Sequence, residues 1–321
     1  MEKKKLQYMV GGLLYMPAFQ QNIVDKLERS AFEALTSIAF CLEDAIADDA
    51  LADAEESVRC ILAEIKERIP QEKRPLIFVR VRTPEHLLRL SREFGGLVEL
   101  LTGFLLPKFD TGNAAEYARA IRELNIGREK CLYILPIIES ACVADLRTRR
   151  EELTRLREII DGVKEYVLNI RVGGNDFSNL YGLRRPAHLT IYDVGIVRDI
   201  LTDILNIFAQ DYVVSGPVWN YSGPKKEVWA DGLRRELELD RLNGFIGKTA
   251  VHPQQLPYIY DSLKVSRTDY EDSKLLLDWR VGKLGVCKSA DGSRMNEVKC
   301  HRRWAERIHI LGKIYGIRED K

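Results

Sequence analysis

The chain lacks the common signatures of metal, redox and nucleotide sites. Its six cysteines (Cys41, Cys60, Cys131, Cys142, Cys287 and Cys300) include no CxxC pair, so a zinc ribbon or thioredoxin-type centre is excluded. Reduced thiols of a cytoplasmic protein are the plain reading. The five histidines show no HxH or HExxH spacing, which argues against catalytic zinc. No phosphate-binding or dinucleotide glycine fingerprint is present. Charge of one sign is missing too: 49 Lys+Arg against 48 Asp+Glu leave a formal +1, no field for nucleic acid or an anionic membrane surface. The basic start MEKKK is followed by LQYMVGGLLYMPAF, too short and interrupted to span a bilayer. It has no clear small-residue cleavage site, so no signal peptide is expected.

What is there is a repeated pattern. The 321 residues are 45% hydrophobic, enough to bury one large core. Eight short apolar runs recur at Leu13–Pro17, Ile38–Leu42, Leu76–Val81, Gly103–Pro107, Leu132–Ile138, Tyr166–Val172, Tyr212–Val218 and Phe245–Val251. Their starts are roughly 33 residues apart, the size of one strand–helix unit. Most are too continuous for half-exposed strands and suit parallel strands covered on both faces. The segments between them read as helices. Asn22 is placed to cap IVDKLERSAFEAL, and Thr83-Pro84 supplies a cap followed by proline at the first helical position. Residues 51–69 carry helical periodicity, and TRREELTRLREII has an apolar stripe at Leu153, Leu156 and Ile160. The predicted fold is α/β, a (β/α)8 TIM barrel over residues 1–265. Residues 266–321 read as a helical C-terminal extension: one helix over Ser266–Val281, a loop over Gly282–Ser293, and a second helix over Glu297–Tyr315. Such an extension suits covering the barrel, assembly, or both.

In such a barrel the chemistry sits at the C-terminal strand ends. The second run ends on Glu43 and Asp44, the third on Arg80 and Arg82, the fourth on Lys108, the fifth on Glu139, the sixth on Asp176 and the eighth on His252. Alternation along a strand puts Arg80 and Arg82 on one face. A single strand-end carboxylate is commonly a cap or an ion-pair partner; this many on one rim weakens that reading. Two carboxylates, Glu139 and Asp176, suit a hard cation, Mg²⁺ or Mn²⁺, which takes one or two carboxylates and leaves room for substrate oxygens. Lys108 as a Schiff-base lysine needs a desolvated amine; beside Asp110 it reads as a paired ammonium. Gly174 and Asn175 allow close backbone approach to a ligand. Arg184, with Arg185, suits a phosphate or second carboxylate, and Trp219 suits the pocket wall.

The pieces LLYMP, CLEDAIADD, FVRVRTP, LLPKFD, LPIIESA, GGNDFSNLYG and GKTAVHPQQ stand in order from about Leu13 to Pro253. In this the chain resembles the citrate lyase beta-subunit family within the HpcH/HpaI aldolase superfamily of metal-dependent carbon–carbon lyases. A closer likeness is to its branch associated with tellurite-resistance and stress gene clusters. The resemblance implies that Glu139 and Asp176 bind Mg²⁺, that Arg80 grips a substrate carboxylate, and that Glu43 and Asp44 orient water beside the metal. Lys108 and His252 match the family's PK and HP elements. It also implies a homo-oligomer, a trimer being favoured. Where the family commonly carries Arg-Ser and Pro-Gly around the first strand, in a region used by thioester-handling members, this chain has Gly11-Gly12 and Ala18-Phe19, which counts against a coenzyme A thioester.

The expected function is thus Mg²⁺-dependent cleavage or formation of a bond β to a carbonyl in a small hydroxy or keto acid or its ester. The substrate is a small carboxylate, with a coenzyme A or phosphorylated ester as the extended form. Two alternatives stand beside it: a metal-assisted acyl-thioester hydrolase or condensing enzyme, told apart by release of free coenzyme A, and a non-catalytic scaffold, told apart by absence of metal binding.

Overall fold

In a computed structural model, residues 2–20, 22–279, 285–289 and 292–319 are described. All eight apolar runs contribute strands: β1 (Gly12–Pro17), β2 (Ser37–Cys41), β3 (Leu76–Arg80), β4 (Gly103–Leu106), β5 (Tyr133–Ile138), β6 (Ile170–Val172), β7 (Val214–Ser215) and β8 (Lys248–Ala250). Each from β1 to β6 pairs in parallel with the next, and β8 returns to pair with β1. A bridge between Gly216 and Lys248 brings β7 and β8 together. The fold is the expected TIM barrel. The later strands are shorter than their runs: the seventh run meets Pro217, which has no N–H to give a ladder, and the eighth contains Gly247 with φ +73°.

Alternation explains why the runs looked continuous. Leu13, Ala39, Phe78, Leu105, Leu135, Ile137 and Leu168 form the interior of the barrel. Their neighbours Leu14, Ile38, Ile77, Val79, Phe104 and Ile138 belong to the outer core beneath the helices. Both faces are dry, so both parities are apolar. Leu6 and Val10 join the interior cluster from below, so the helix Lys3–Met9 closes the barrel at the N-terminal end of β1.

The helices follow their sequence signals with one exception. Thr83 accepts a hydrogen bond from the His86 N–H at the start of Pro84–Phe94. Leu153, Leu156 and Ile160 are the buried stripe of Arg149–Asp161. The helix after Asn22 is only Ile23–Glu28, and Asn22 makes no side-chain cap. Ser30 and Ala34 have positive φ, a conformation no α-helix continues through, so the remainder of that segment leaves the helix.

The C-terminal segment packs against the outer core and the N-terminal helix. The helix Arg267–Leu277, capped by Ser266, lies along Val298–Tyr315. Ile308 and Leu311 are buried against the outer core, with Trp304 partly buried beside them. Tyr315 Oη donates to the Tyr8 carbonyl at 2.6 Å, and Ile317–Arg318 pairs in parallel with Val265–Ser266. The stretch read as a loop holds a strand, Val286–Lys288, paired with Met295–Glu297; residues 280–284 and 290–291 lie outside the described residues. No described helix is long and apolar enough to cross a membrane.

Phe78 is fully buried in the barrel interior. Replacing it with alanine should cost about 3–5 kcal/mol, read as a lowered midpoint in denaturant unfolding.

Candidate active site

β5 ends in Ile138, and the next residue turns its carboxylate into the barrel mouth. Glu139 is 5% exposed. β6 ends in Val172, and the chain then passes through Gly173 into the short helix Gly174–Leu180, which carries Asp176 in its first turn. Gly173 has no room for a side chain. A β-carbon there would lie 2.5 Å from Glu139 Oε2 and 3.1 Å from Asp176 Oδ2. The two carboxylates therefore converge over one glycine.

Arg80 at the end of β3 reaches the same place. Its Nη2 donates to Glu139 Oε1 at 3.2 Å. Its Nη1 lies 2.9 Å from Glu43 Oε2 and 3.0 Å from Asp44 Oδ2. Burial opposes the guanidinium charge, but Tyr15, Glu139 and Glu43 around it more than offset this and hold its pKa above the usual value. Lys108 closes the ring from β4. Its ammonium bonds Glu43 Oε1 at 2.7 Å and sits 3.3 Å from Asp44 Oδ1, while its main-chain N–H donates to Glu139 Oε1 at 2.9 Å. That N–H is aimed by a left-handed backbone, φ 47°, a conformation a lysine holds only where its surroundings enforce it. The Glu43 bond raises the Lys108 pKa, so the amine stays charged and is no Schiff-base nucleophile.

Arg80 and Lys108 do not neutralise everything. Burial pushes Glu139 up to about 7, and the Asp176 charge adds to the rise against the lowering pull of Arg80. Asp176 is raised as well, by burial and then by Asp44. Asp44 is different: burial works against its charge, but Glu43, Arg80 and Lys108 together hold it below its ordinary value. Glu139 Oε2 and Asp176 Oδ2 thus flank the same point, and a hydrogen bond between the two side chains lowers Asp176 against its rise. No set of three His, Cys, Asp or Glu residues is arranged for a metal among the described residues. Two carboxylates fit a hard divalent cation such as Mg²⁺, which leaves its other positions to water and substrate.

Beneath the pair lies a cavity of about 150 Å³, lined in part by Tyr15, Arg80, Ile137, Arg171 and Thr249, well below the ~300–1,000 Å³ that drug-sized ligands occupy. Gly174 and Asn175 line its rim. Asn175 also opens onto an adjoining cleft of about 560 Å³, together with Arg184, Arg185 and Asn220. Three other sequence candidates stand away from the cavity. The His252 ring accepts from the Gln254 N–H and caps the following turn. Trp219 is fully buried in the outer core, beneath Arg185 at 5.0 Å. Arg82 ties the loop after β2 through the Leu42 and Ile46 carbonyls, both at 2.7 Å, so it does not share the Arg80 site. The sequence reading missed Tyr15, Arg171 and Thr249. Composition held a signal for one of them: Arg171 is a charged residue between Ile170 and Val172 in a strand buried on both faces.

The model of the family described as C-C_Bond_Lyase of the TIM-Barrel fold matches residues 4–317. The chain belongs to this family of carbon–carbon bond lyases. The match runs past the barrel strands into the C-terminal helices. A citrate lyase subunit beta-like protein of Deinococcus radiodurans is 24% identical over 272 residues, covering 84% of this chain and 85% of that protein. Among solved structures, CitE of Mycobacterium tuberculosis in complex with magnesium, acetoacetate and coenzyme A superposes with a TM-score of 0.58 at 17% identity, over 94% of this chain and 98% of that one. RipC of Yersinia pestis superposes with a TM-score of 0.52 at 14% identity, over 81% and 98%. These two likenesses speak to the fold.

Two outcomes follow for this lyase-family site. Gly173→Ala should drive a methyl group into both carboxylates and abolish divalent-cation binding, measured by titration calorimetry, while the circular dichroism spectrum is kept. The second concerns pH. The Glu139 carboxyl rises from 4.5 to about 7 on folding, so between these values the folded state holds the extra proton. Its stabilising contribution is present below pH 4.5 and is lost as pH rises through about 7. The metal-free protein should therefore lose melting temperature over that window. Because a cation needs the ionised carboxylate, added Mg²⁺ should raise the melting temperature more at pH 8 than at pH 6.

Proposed function

We propose that this protein is a Mg²⁺-dependent lyase that cleaves or forms a bond β to a carbonyl in a short hydroxy or keto acid. The observation that carries this reading is the convergence of a buried carboxylate, Glu139, and a half-buried one, Asp176, over a glycine with no room for a side chain. Family membership supplies the reaction class. M. tuberculosis relatives of the same fold were solved with magnesium and small keto acids, one with oxaloacetate and another with pyruvate.

Held by Glu139 and Asp176, a divalent cation would supply Lewis acidity to the carbonyl of a chelating substrate. The remaining work falls to side chains. In the cleavage direction the β-hydroxyl gives up its proton and becomes a carbonyl. The electron pair of the broken carbon–carbon bond passes into the α-carbonyl as an enolate, which then takes a proton. Glu43 and Asp44 are the carboxylates beside the site able to accept the hydroxyl proton, directly or through an oriented water. Arg80 keeps that pair in place. It meets a substrate carboxylate by exchanging Asp44, whose side chain is 53% exposed, while keeping the buried Glu43 and Glu139. Lys108 anchors Glu43 and presents its N–H to Glu139, fixing the orientation of the carboxylate that must hold the cation. A larger ester or phosphate end extends into the cleft beside Arg184.

Glu139→Gln or Asp176→Asn should each lower Mg²⁺ affinity and Mg²⁺-dependent cleavage by more than the ~10–100-fold that losing a mere supporting partner costs. The melting curve in the absence of metal should keep its cooperativity. The assay is release of a carbonyl product from a panel of short hydroxy and keto acids, and full turnover in either variant would overturn the assignment.

A further inference from the structure

Five lysine and arginine side chains are deeply buried among the described residues: Arg80, Arg149, Arg171, Arg185 and Lys248. Four of them have carboxylates. Arg80 has three, Arg149 has Asp203 at 2.9 Å, Arg185 has Glu236 at 3.0 Å, and Lys248 has Glu236 and Asp240 at 2.8 and 2.7 Å. Arg171 is the exception. It is 1% exposed. Its Nη2 donates to Thr249 Oγ1 at 2.6 Å and its Nη1 to Asn169 Oδ1 at 3.3 Å. Its Nε has no partner. Burial holds the guanidinium below its ordinary value, and the only titratable group acting on it is the Tyr15 phenol, itself pushed up to about 12 by burial and so neutral.

An unpaired buried charge is expensive. If Arg171 served only to tie β6 to β8 through Asn169 and Thr249, a neutral amide would do the same without that cost. Its position supplies the missing partner. Arg171 lines the cavity below the carboxylate pair. It precedes Gly173 by two residues and pairs in register with Ile137, two residues before Glu139. At ~3.3 Å per residue its Cα lies about 7 Å deeper along the sheet than that of Glu139. That is the span of a few carbon atoms.

We propose that Arg171 receives a carboxylate of the substrate, and that the substrate is therefore a short diacid. One end would chelate the cation held by Glu139 and Asp176, and the far carboxylate rests on Arg171. The proposal rests on the reading of Glu139 and Asp176 as cation ligands. It makes Arg171 the residue that selects acids with a second carboxylate over those without. The cavity of about 150 Å³ limits the part held between the two ends to a few carbons.

The test compares L-malate with L-lactate, two hydroxy acids that share a chelating head and differ in the far carboxylate. Each is titrated calorimetrically into wild type, Arg171→Met and Arg171→Lys, with and without Mg²⁺. Wild type should prefer malate by on the order of ten- to a hundredfold, the worth of a charge-assisted hydrogen bond. Arg171→Met should lose that preference while keeping its Mg²⁺ and lactate affinities. Arg171→Lys should keep part of it, since the charge remains and the planar fork does not. Equal affinities in wild type, no binding of either acid, or a malate preference that survives in Arg171→Met would overturn the proposal. The wild-type comparison needs no variant, so misfolding of Arg171→Met cannot hide the answer. Mg²⁺ uptake with no malate preference removes the Arg171 role alone. A malate preference without Mg²⁺ uptake removes the cation site and leaves Arg171 standing.

Discussion

Arg80 is the charge on which the barrel mouth depends. Glu43, Asp44 and Glu139 all reach it, and without it three carboxylates would face one another in a poorly solvated space. Its own burial is tolerable only because they surround it. The result is an organised imbalance. Arg80 and Lys108 neutralise the Glu43–Asp44 side of the mouth, while the Glu139–Asp176 side is left with a surplus of carboxyls, both raised chiefly by burial. A divalent cation is what that surplus suits. The same residues that make the mouth foldable make it receptive.

The barrel geometry sets the scale of what can enter. The interior is filled by Leu13, Phe78, Leu105, Leu135 and their neighbours, and Leu6 and Val10 stop it from below. Only the uppermost inward layer is left for chemistry: Tyr15, Arg80, Arg171 and Thr249, with Glu139 just above. Polar side chains replace apolar ones there on the same strand parity that fills the core a layer lower. The site is therefore as rigid as the core, except at its exposed rim, where Asp44, Lys108, Asn175 and Arg184 face solvent. The C-terminal helices pack by the N-terminal helix and the outer core, so they complete the support rather than the mouth.

Much of this was legible beforehand because it rests on local pattern. Continuous apolar runs at a regular interval admit few folds, and the transition from apolar to charged residues at each run's end marks the rim. Glu43, Asp44, Arg80, Lys108, Glu139 and Asp176 all stood at such transitions, and the fold brings them into one network. His252 and Trp219 stood at transitions too, yet the chain turns one into a cap and buries the other under Arg185. Strand-end position places a residue near the rim, but the direction of the following loop decides whether its side chain enters. The helix predicted beyond Glu28 failed for a related reason: positive φ at Ser30 and Ala34 answers to the packing of that loop, not to local propensity.

Composition and periodicity by themselves determined the eight strand–helix units, the two dry faces of the sheet and the acidic and basic rim, since each depends on residues close together in the chain. Only the tertiary structure decided which charges meet. Arg80 touches carboxylates from two other strand ends, Lys108 twists into a left-handed conformation to serve Glu139, and Arg171 on β6 reaches Thr249 on β8 while finding no carboxylate among the described residues. Those pairings depend on ring closure, because closure alone sets distances between residues that the sequence holds far apart. Whether a buried cation is neutralised or left waiting is a property of the closed ring.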